Sequence, residues 1–119
     1  MIAETLIGLV ITLLVALIMI GIGISQLKSK TPTGFYSGEK PPRPEELSDV
    51  NAWNRKHGRM WITYGIVIIL SYLLAVLVGL DTTPGLVLYC SGVIIPIVVM
   101  IGYHNKLIKT YRLPREKQP

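Results

Sequence analysis

The sequence is poor in charge, in cysteine and in phenylalanine. Only 16% of its 119 residues are charged, whereas soluble domains average about 25%. Its one cysteine, Cys90, lies in an apolar run, so an intrachain disulfide, a C-x-x-C motif and a cysteine zinc cluster are all excluded. Half of the residues are hydrophobic. This composition argues against a soluble globular domain and favours an integral membrane protein.

Charged side chains are missing from three long apolar runs. Leu6 to Ile24 is 19 residues without a charge, which as a helix is about 28 Å long and spans a bilayer core. It is too long for a signal-peptide core and no Lys or Arg precedes Lys28, so we interpret it as a retained span. We predict one all-α membrane domain, a three-helix bundle with spans over 5–26, 59–80 and 84–104, a loop over 27–58 and a tail over 105–119.

Prolines and acidic residues mark the predicted helix ends. Thr83 is the expected N-cap of the third span, with Pro84 at its first position. Pro96 should kink that helix, because it frees the carbonyl of Gly92. In the loop, the segment from Pro44 to Val50 reads as a helix start. We therefore predict an additional amphipathic helix over 44–57, which either lies on the membrane surface or continues through Gly58 into the second span.

The basic residues predict the orientation. Of 12 Lys and Arg, seven lie between Lys28 and Arg59 and five lie after residue 105, whereas none precedes the first span or lies in the 81–85 turn. By the positive-inside rule the N-terminus faces outside, and the long loop and the C-terminus are cytoplasmic. The net charge of +5 is thereby explained without nucleic acid as a partner.

Small and hydroxyl residues recur along one face of each span and predict where the helices pack, because such residues let helices approach closely in lipid. At 100° per residue the small and hydroxyl residues of the first span, such as Thr12, lie within an arc of about 80°. We expect the three faces to converge as a helix-packing surface. Its residues are Gly8, Thr12, Ala16, Gly23, Ser71, Ala75, Gly79, Gly92 and Pro96.

A second interpretation of the same faces is a ligand groove. Tyr64, Tyr89 and Tyr103 would line it, together with the hydroxyls of Thr12 and Ser71. The spans carry no deep Asp, Glu, Lys, Arg or His, and such residues are the usual mark of ion or proton transport. A groove would therefore suit a neutral or hydrophobic solute.

The polar residues of the loop and of the tail are a weak signal for a metal or catalytic site. We interpret His57 and His104 as interfacial side chains, since two histidines without a third ligand are a weak signal; a two-histidine metal site or an acid/base pair acting on a lipid headgroup is the alternative. Trp53 is interpreted as an interface anchor, and the basic residues 55–59 as a contact for anionic lipid headgroups. We predict no catalytic residue, metal or cofactor.

A family resemblance appears in this loop. The residues Gly34-Phe35-Tyr36-Ser37 are followed after a gap by Asn51-Ala52-Trp53-Asn54-Arg55-Lys56-His57-Gly58, directly before a span. This pattern resembles the SdpI-like small bacterial membrane proteins. The resemblance covers about 30 residues and would carry over a loop motif of unknown role. The residues carried over are Gly34, Phe35, Ser37, Trp53, Asn54 and Gly58. His57 is added to the loop motif because it lies in the same segment.

The resemblance implies a bacterial plasma-membrane protein of the toxin-immunity or accessory type, without enzymatic activity. We accordingly expect a non-enzymatic protein that acts by contact with a toxin, a larger membrane complex or its own copies. The alternative is an oligomeric transporter or channel subunit that binds a neutral or hydrophobic solute, since three spans are too few to enclose a pathway.

Overall fold

The computed structural model describes residues 2–34 and 40–114. Within them the chain forms α1 (Ile2–Lys28), a 3-10 helix (Pro44–Glu46), α2 (Val50–Val78) and α3 (Thr83–Tyr111). Each α-helix is long and apolar enough to cross a membrane. The all-helical, three-helix bundle and the multi-pass pattern that the sequence predicts are therefore confirmed for these residues.

The additional amphipathic helix does not form as a separate element in the described residues. Only one 3-10 turn forms at Pro44–Glu46, and Asp49 caps α2 by accepting a hydrogen bond from the Ala52 amide at 3.0 Å. From there α2 continues without a break through Gly58. The segment before the cap is held elsewhere, because the Ser48 amide donates to the carbonyl of Tyr111 at 2.8 Å, at the end of α3.

The helices extend beyond the predicted spans mainly at one end of the bundle. At 29 residues each, α2 and α3 are about 43 Å long, whereas a hydrocarbon core is about 30 Å thick. The excess consists of residues 50–58 of α2 and 105–111 of α3. We call this end, which carries the linker after α1 and every described Lys and Arg, the basic end. The opposite end, at residues 79–85, is the turn end.

The turn end is built around Gly79. Its φ of +115° is a left-handed conformation that favours glycine, and its amide donates to the carbonyl of Ala75 at 2.8 Å. The N-cap of α3 is Thr82 and not the predicted Thr83: the Thr82 hydroxyl accepts from the Gly85 amide at 3.2 Å and donates to the Gly79 carbonyl. The cap lies one residue earlier because Thr82 has the extended backbone of an N-cap, whereas Thr83 is already the first helical residue.

The central helix α2 packs against its neighbours along two stripes of seven-residue spacing. Gly58, Gly65 and Tyr72 face α1, whereas His57, Tyr64 and Ser71 face α3. The two stripes are one residue apart, which is about 100° around the helix. Consequently α2 lies between α1 and α3. In its most apolar 18-residue stretch 33% of the residues are buried, against 17% in α1 and 11% in α3.

The backbones of α1 and α2 approach closely at two levels, and a glycine of α1 meets a tyrosine side chain of α2 at a third. A Cβ added at Gly23 would lie 2.5 Å from the Gly58 carbonyl oxygen, and one at Gly65 would lie 2.8 Å from that of Ala16. Gly8 leaves room for the hydroxyl of Tyr72. Since lipid supplies little hydrophobic drive between helices, this contact at the backbone surface is a major source of cohesion.

Tyrosine hydroxyls join each pair of helices. Tyr72 donates to the Thr5 carbonyl at 2.5 Å (α2 to α1), and Thr12 and Tyr89 share a hydrogen bond of 2.9 Å (α1 to α3). Tyr64 donates to the Val93 carbonyl at 3.0 Å (α2 to α3). That carbonyl is next to the one that Pro96 frees, so a side chain of α2 supports α3 in the turn where its own ladder is interrupted.

We expect the close α1–α2 contact to stabilise the bundle. Gly58→Val should lower the free energy of unfolding by about 1–3 kcal/mol, because the new methyl groups would overlap α1. Gly21→Val is the matched control, since a Cβ there meets no atom within 4 Å. Thermal unfolding of both variants in mild detergent measures the difference. Equal melting temperatures would contradict this account of the packing.

Candidate functional site: a buried polar cluster at the basic end

Asn54 fixes the linker that follows α1. The residue is only 2% exposed. Its side-chain amide nitrogen donates to the carbonyls of Ser29 at 3.1 Å and Thr31 at 2.8 Å, and its oxygen accepts from the Thr33 amide at 3.1 Å. α1 already ends at Lys28, and the residue before Pro32 avoids the helical region, so the helix does not resume here. One asparagine thus satisfies several backbone groups of a chain segment that has no helix or sheet of its own.

Trp53 is the centre of a small apolar core at the same end. It is 2% exposed and packs with Leu47 and Leu107. Its indole nitrogen donates to the Thr33 carbonyl at 3.0 Å. The interpretation of Trp53 as an interface anchor is therefore wrong: the indole is buried because α2 and α3 continue past the spans and enclose it.

His57 and His104 form a buried pair next to this tryptophan. His57 is 0% exposed and His104 is 5% exposed. The His57 Nε2 and the His104 Nδ1 are 2.8 Å apart, and the His57 Nδ1 is 2.8 Å from the Trp53 carbonyl oxygen. The ring of His57 also packs against Trp53 at a tilt of 48°, with centroids 4.3 Å apart. The interpretation as two interfacial side chains is wrong, because helix pairing turns both rings inwards.

The hydrogen bonds fix the proton positions in the neutral pair. A carbonyl oxygen only accepts, so the His57 Nδ1 carries a proton and donates to Trp53. In a neutral ring the His57 Nε2 is then the acceptor, and the His104 Nδ1 donates to it.

The same distance bears on the metal alternative. Two nitrogens bound to one tetrahedral zinc at about 2.0–2.1 Å each lie about 3.3 Å apart, whereas this pair is at hydrogen-bonding distance, 2.8 Å. Within residues 2–34 and 40–114 no group of three or more His, Cys, Asp or Glu side chains is arranged to hold a metal ion. The two histidines therefore form a hydrogen bond between α2 and α3.

A basic pocket of about 500 Å³ lies beside the pair. Its lining includes His104, Trp53 and the cationic side chains of Lys40, Arg43 and Arg112. Glu46 is placed between the two arginines, 3.0 Å from Arg43 and 3.6 Å from Arg112. The hydrogen bond from Arg43 holds the pKa of the Glu46 carboxyl below its usual range, so the carboxylate stays charged and cancels part of the positive charge.

The three candidate ligand-lining tyrosines do not share one groove. Tyr64 and Tyr103 line a groove of about 470 Å³ between α2 and α3 in the basic half. Tyr89 lies towards the turn end, where it is hydrogen-bonded to Thr12. The centroid of its ring is 5.3 Å from that of the Tyr72 ring. Ser71 lies against Gly92. The groove predicted from the hydroxyls is thus replaced by one on a different side of α2.

The residues of the predicted packing face have more than one role. Thr12, Ala16, Gly23, Ser71 and Ala75 are buried, and Gly8 and Gly92 lie directly against side chains of α2. Gly79 belongs to the turn and not to a helix face, because α2 ends at Val78. Pro96 is partly exposed and lines the groove.

The two halves of the loop motif meet in space. Gly34 accepts a long hydrogen bond of 3.4 Å from Gln26 at the end of α1, and the neighbouring Thr33 bonds to both Trp53 and Asn54. His57 faces α3 and Gly58 faces α1. Phe35 and Ser37 lie outside the described residues. The motif is therefore the joint between the linker, α1 and α2.

Sequence reasoning missed Tyr72, Gly65 and Asp49, and it gave the pairing of His57 with His104 only as an alternative. Gly58, Gly65 and Tyr72 share a seven-residue spacing, which is a signal that could have been read beside the parallel stripe of His57, Tyr64 and Ser71. The histidine contact has no comparable signal, because the two residues are 47 positions apart.

Comparison with known proteins adds no relative: no family model, curated protein or solved structure matches this chain. The resemblance to SdpI-like proteins therefore stays a prediction that rests on the loop motif.

We expect Asn54→Ala to release the linker. The Thr33 amide loses its acceptor, so its hydrogen exchange should become about tenfold faster. Asn51→Ala is the matched control, because Asn51 is an exposed asparagine one turn earlier in the same helix. Hydrogen–deuterium exchange of residues 29–33 in mild detergent measures both. Equal exchange in the two variants would show that Asn54 does not hold this segment.

Proposed function

We propose that this chain is a non-enzymatic, multi-pass protein of a bacterial plasma membrane. It acts by contact with another membrane protein or with its own copies, in the manner of a toxin-immunity protein or an accessory subunit. The bacterial setting and this functional type come from the resemblance of the loop motif around Trp53, Asn54 and Gly58.

The observation that carries the proposal is the pair of open glycines, Gly21 on α1 and Gly102 on α3. Most glycines of the described helices lie against a neighbouring helix, whereas a Cβ at either of these two would meet no atom within 4 Å. Gly23 lies against Gly58, and His57 lies against His104. The notches, which are the gaps left by Gly21 and Gly102, are two residues from these contacts and therefore lie at about the same depth in the bundle. Small residues on an outward face allow the close approach of a further helix.

The polar cluster supports a structural role for the loop motif. The side-chain polar atoms of Trp53 and Asn54 bond to the linker backbone, and the His57 Nδ1 bonds to a helix carbonyl. Groups that are already bonded inside the chain stabilise its shape. This use of the motif fits a protein that presents a fixed surface to a partner better than one that turns over a substrate.

We expect the basic end to be cytoplasmic, where its Lys and Arg would meet anionic headgroups. In a Cys90→Ser background, an impermeant maleimide added to intact cells should label Asp81→Cys and leave Lys109→Cys unlabelled until the membrane is permeabilised. Both positions are exposed in the fold, so the difference reports on the membrane alone. The reverse labelling pattern would overturn the orientation.

We expect Gly21→Leu or Gly102→Leu to reduce assembly without unfolding the chain. Leucine fits the open space around each glycine but fills the notch that a neighbouring helix would occupy. The tagged protein is purified from its own membrane in mild detergent, and the particle mass and any stoichiometric partner are measured. Val87→Leu, at a 56% exposed position of α3 towards the turn end, is the control. A monomer without a partner, or assembly unchanged in both glycine variants, would contradict the proposal.

The alternative function is an oligomeric transporter or channel subunit for a neutral or hydrophobic solute. The groove beside Tyr64 and Tyr103 favours it. However, Thr12 and Tyr89, which were expected to complete the binding surface, are bonded to each other. The groove also lies on one side of the α2–α3 pair and not among all three helices, so this alternative needs an oligomer to close the pathway.

A further inference from the structure

The groove between α2 and α3 opens outwards on the side away from α1. Its α2 lining includes Met60, Thr63 and Val67, which at 100° per residue lie roughly opposite the stripe of Gly58 and Gly65 that contacts α1. On α3 it is bounded by side chains of the outer surface, such as Val99, which is 61% exposed. In a bilayer the groove would therefore face the acyl chains directly.

Unequal spacing of α2 and α3 creates the groove. Towards the turn end the helices touch closely, since a Cβ at Gly85 would lie 3.2 Å from the Ala75 carbonyl oxygen and Gly92 lies against Ser71. In the basic half, large side chains fill the seam, where Tyr64 packs with Met60 and Met100. The helices are kept apart there, and a space of about 470 Å³ remains along the outside of the seam.

Two cations stand at the basic end of this apolar groove. Among the residues that the structure describes, Lys56 and Arg59 are the charged ones in the lining, and the rest of the lining is apolar apart from Thr63, Tyr64 and Tyr103. The Lys56 ammonium is held over the ring of Tyr111, 5.3 Å from its centroid. This contact holds the ammonium at the basic end, and the Lys56 side chain also lines the groove.

The groove has the length of one leaflet. From Lys56 to Val67 an α-helix rises about 16 Å, which is roughly half of the 30 Å hydrocarbon core. A molecule with an anionic group at the cations would thus place its apolar part along the groove as far as the bilayer midplane. Basic pockets between transmembrane helices are a known way of holding phospholipid headgroups.

We propose that this groove is a binding site for one anionic glycerophospholipid. The phosphate is bound by Lys56 and Arg59, and an acyl chain lies against Met60, Val67 and Val99. The charge at the mouth favours a phospholipid over the neutral solute of the alternative function. The site rests on the transmembrane placement of the helices and not on the identity of any protein partner, so it can fail while the proposed function stands.

The first test is native mass spectrometry of the full chain in detergent. Phosphatidylglycerol and, separately, phosphatidylcholine with the same acyl chains are titrated onto the protein. We expect one phosphatidylglycerol to bind about 10- to 30-fold more tightly than phosphatidylcholine, for two basic residues near the phosphate. Equal affinity for the two lipids would overturn the proposal and favour a neutral hydrophobic ligand.

Charge variants locate the preference. Lys56→Gln combined with Arg59→Gln should reduce the affinity for phosphatidylglycerol to that for phosphatidylcholine. The matched control combines Arg55→Gln with Lys109→Gln, which removes the same charge from the same end at exposed positions outside the groove. An equal loss in the control would mean that the lipid responds to the overall charge of this end, and the site would be rejected.

Tryptophan variants test whether an acyl chain occupies the groove. Val99→Trp should weaken binding of both lipids at least about tenfold, because the indole would occupy the chain site. Val98→Trp should have no effect, since Val98 is equally exposed on the adjacent side of α3 but does not line the groove. Circular dichroism and size-exclusion profiles confirm that each variant is folded. Unchanged binding in folded Val99→Trp, or a dimer that closes over the groove, would overturn the proposal.

Discussion

The close backbone contact between α1 and α2 is the constraint on which the rest of the structure depends. Gly23, Gly58 and Gly65 remove the side chains that would separate the two helices, and this contact fixes the rotation of α2 about its own axis. Once Gly58 and Gly65 face α1, the residues one position earlier must face about 100° away. His57, Tyr64 and Ser71 are thereby turned towards α3, where each finds its contact.

The basic end is a small folded unit attached to the membrane bundle. Because α2 and α3 are longer than the bilayer is thick, their ends project together and enclose the indole of Trp53 with Leu47 and Leu107. Polar groups buried there would destabilise the fold if they lacked partners. Asn54 and Trp53 instead bond to the backbone of the linker, so the same residues hold the linker and complete the core.

Three surfaces of one helix therefore account for most of the molecule. One side of α2 packs on α1, a second side packs on α3, and a third forms the groove with Lys56 and Arg59 at its mouth. The outer faces of α1 and α3 are left to lipid or to a partner, and Gly21 and Gly102 mark the places where a further helix can approach most closely.

The sequence by itself determined the helices. Uncharged runs of bilayer length specify spans without reference to any other part of the chain, and the small residues of α1, such as Ala16 and Gly23, could be assigned to a packed face from their spacing alone. Local signals near helix ends were less reliable. Pro44 suggested a helix start, but pairing of residues 46–48 with the end of α3 left Asp49 to cap α2.

Only the tertiary structure decided which chemistry-bearing residues meet. His57 and His104 are 47 positions apart, and their contact at 2.8 Å depends on the rotation of α2 and on its axial register with α3. Neither quantity is encoded in a local pattern, because both follow from the fit of glycines against opposing backbones. The same fit separated Tyr89 from Tyr64 and Tyr103, and it opened the groove where large side chains hold α2 and α3 apart.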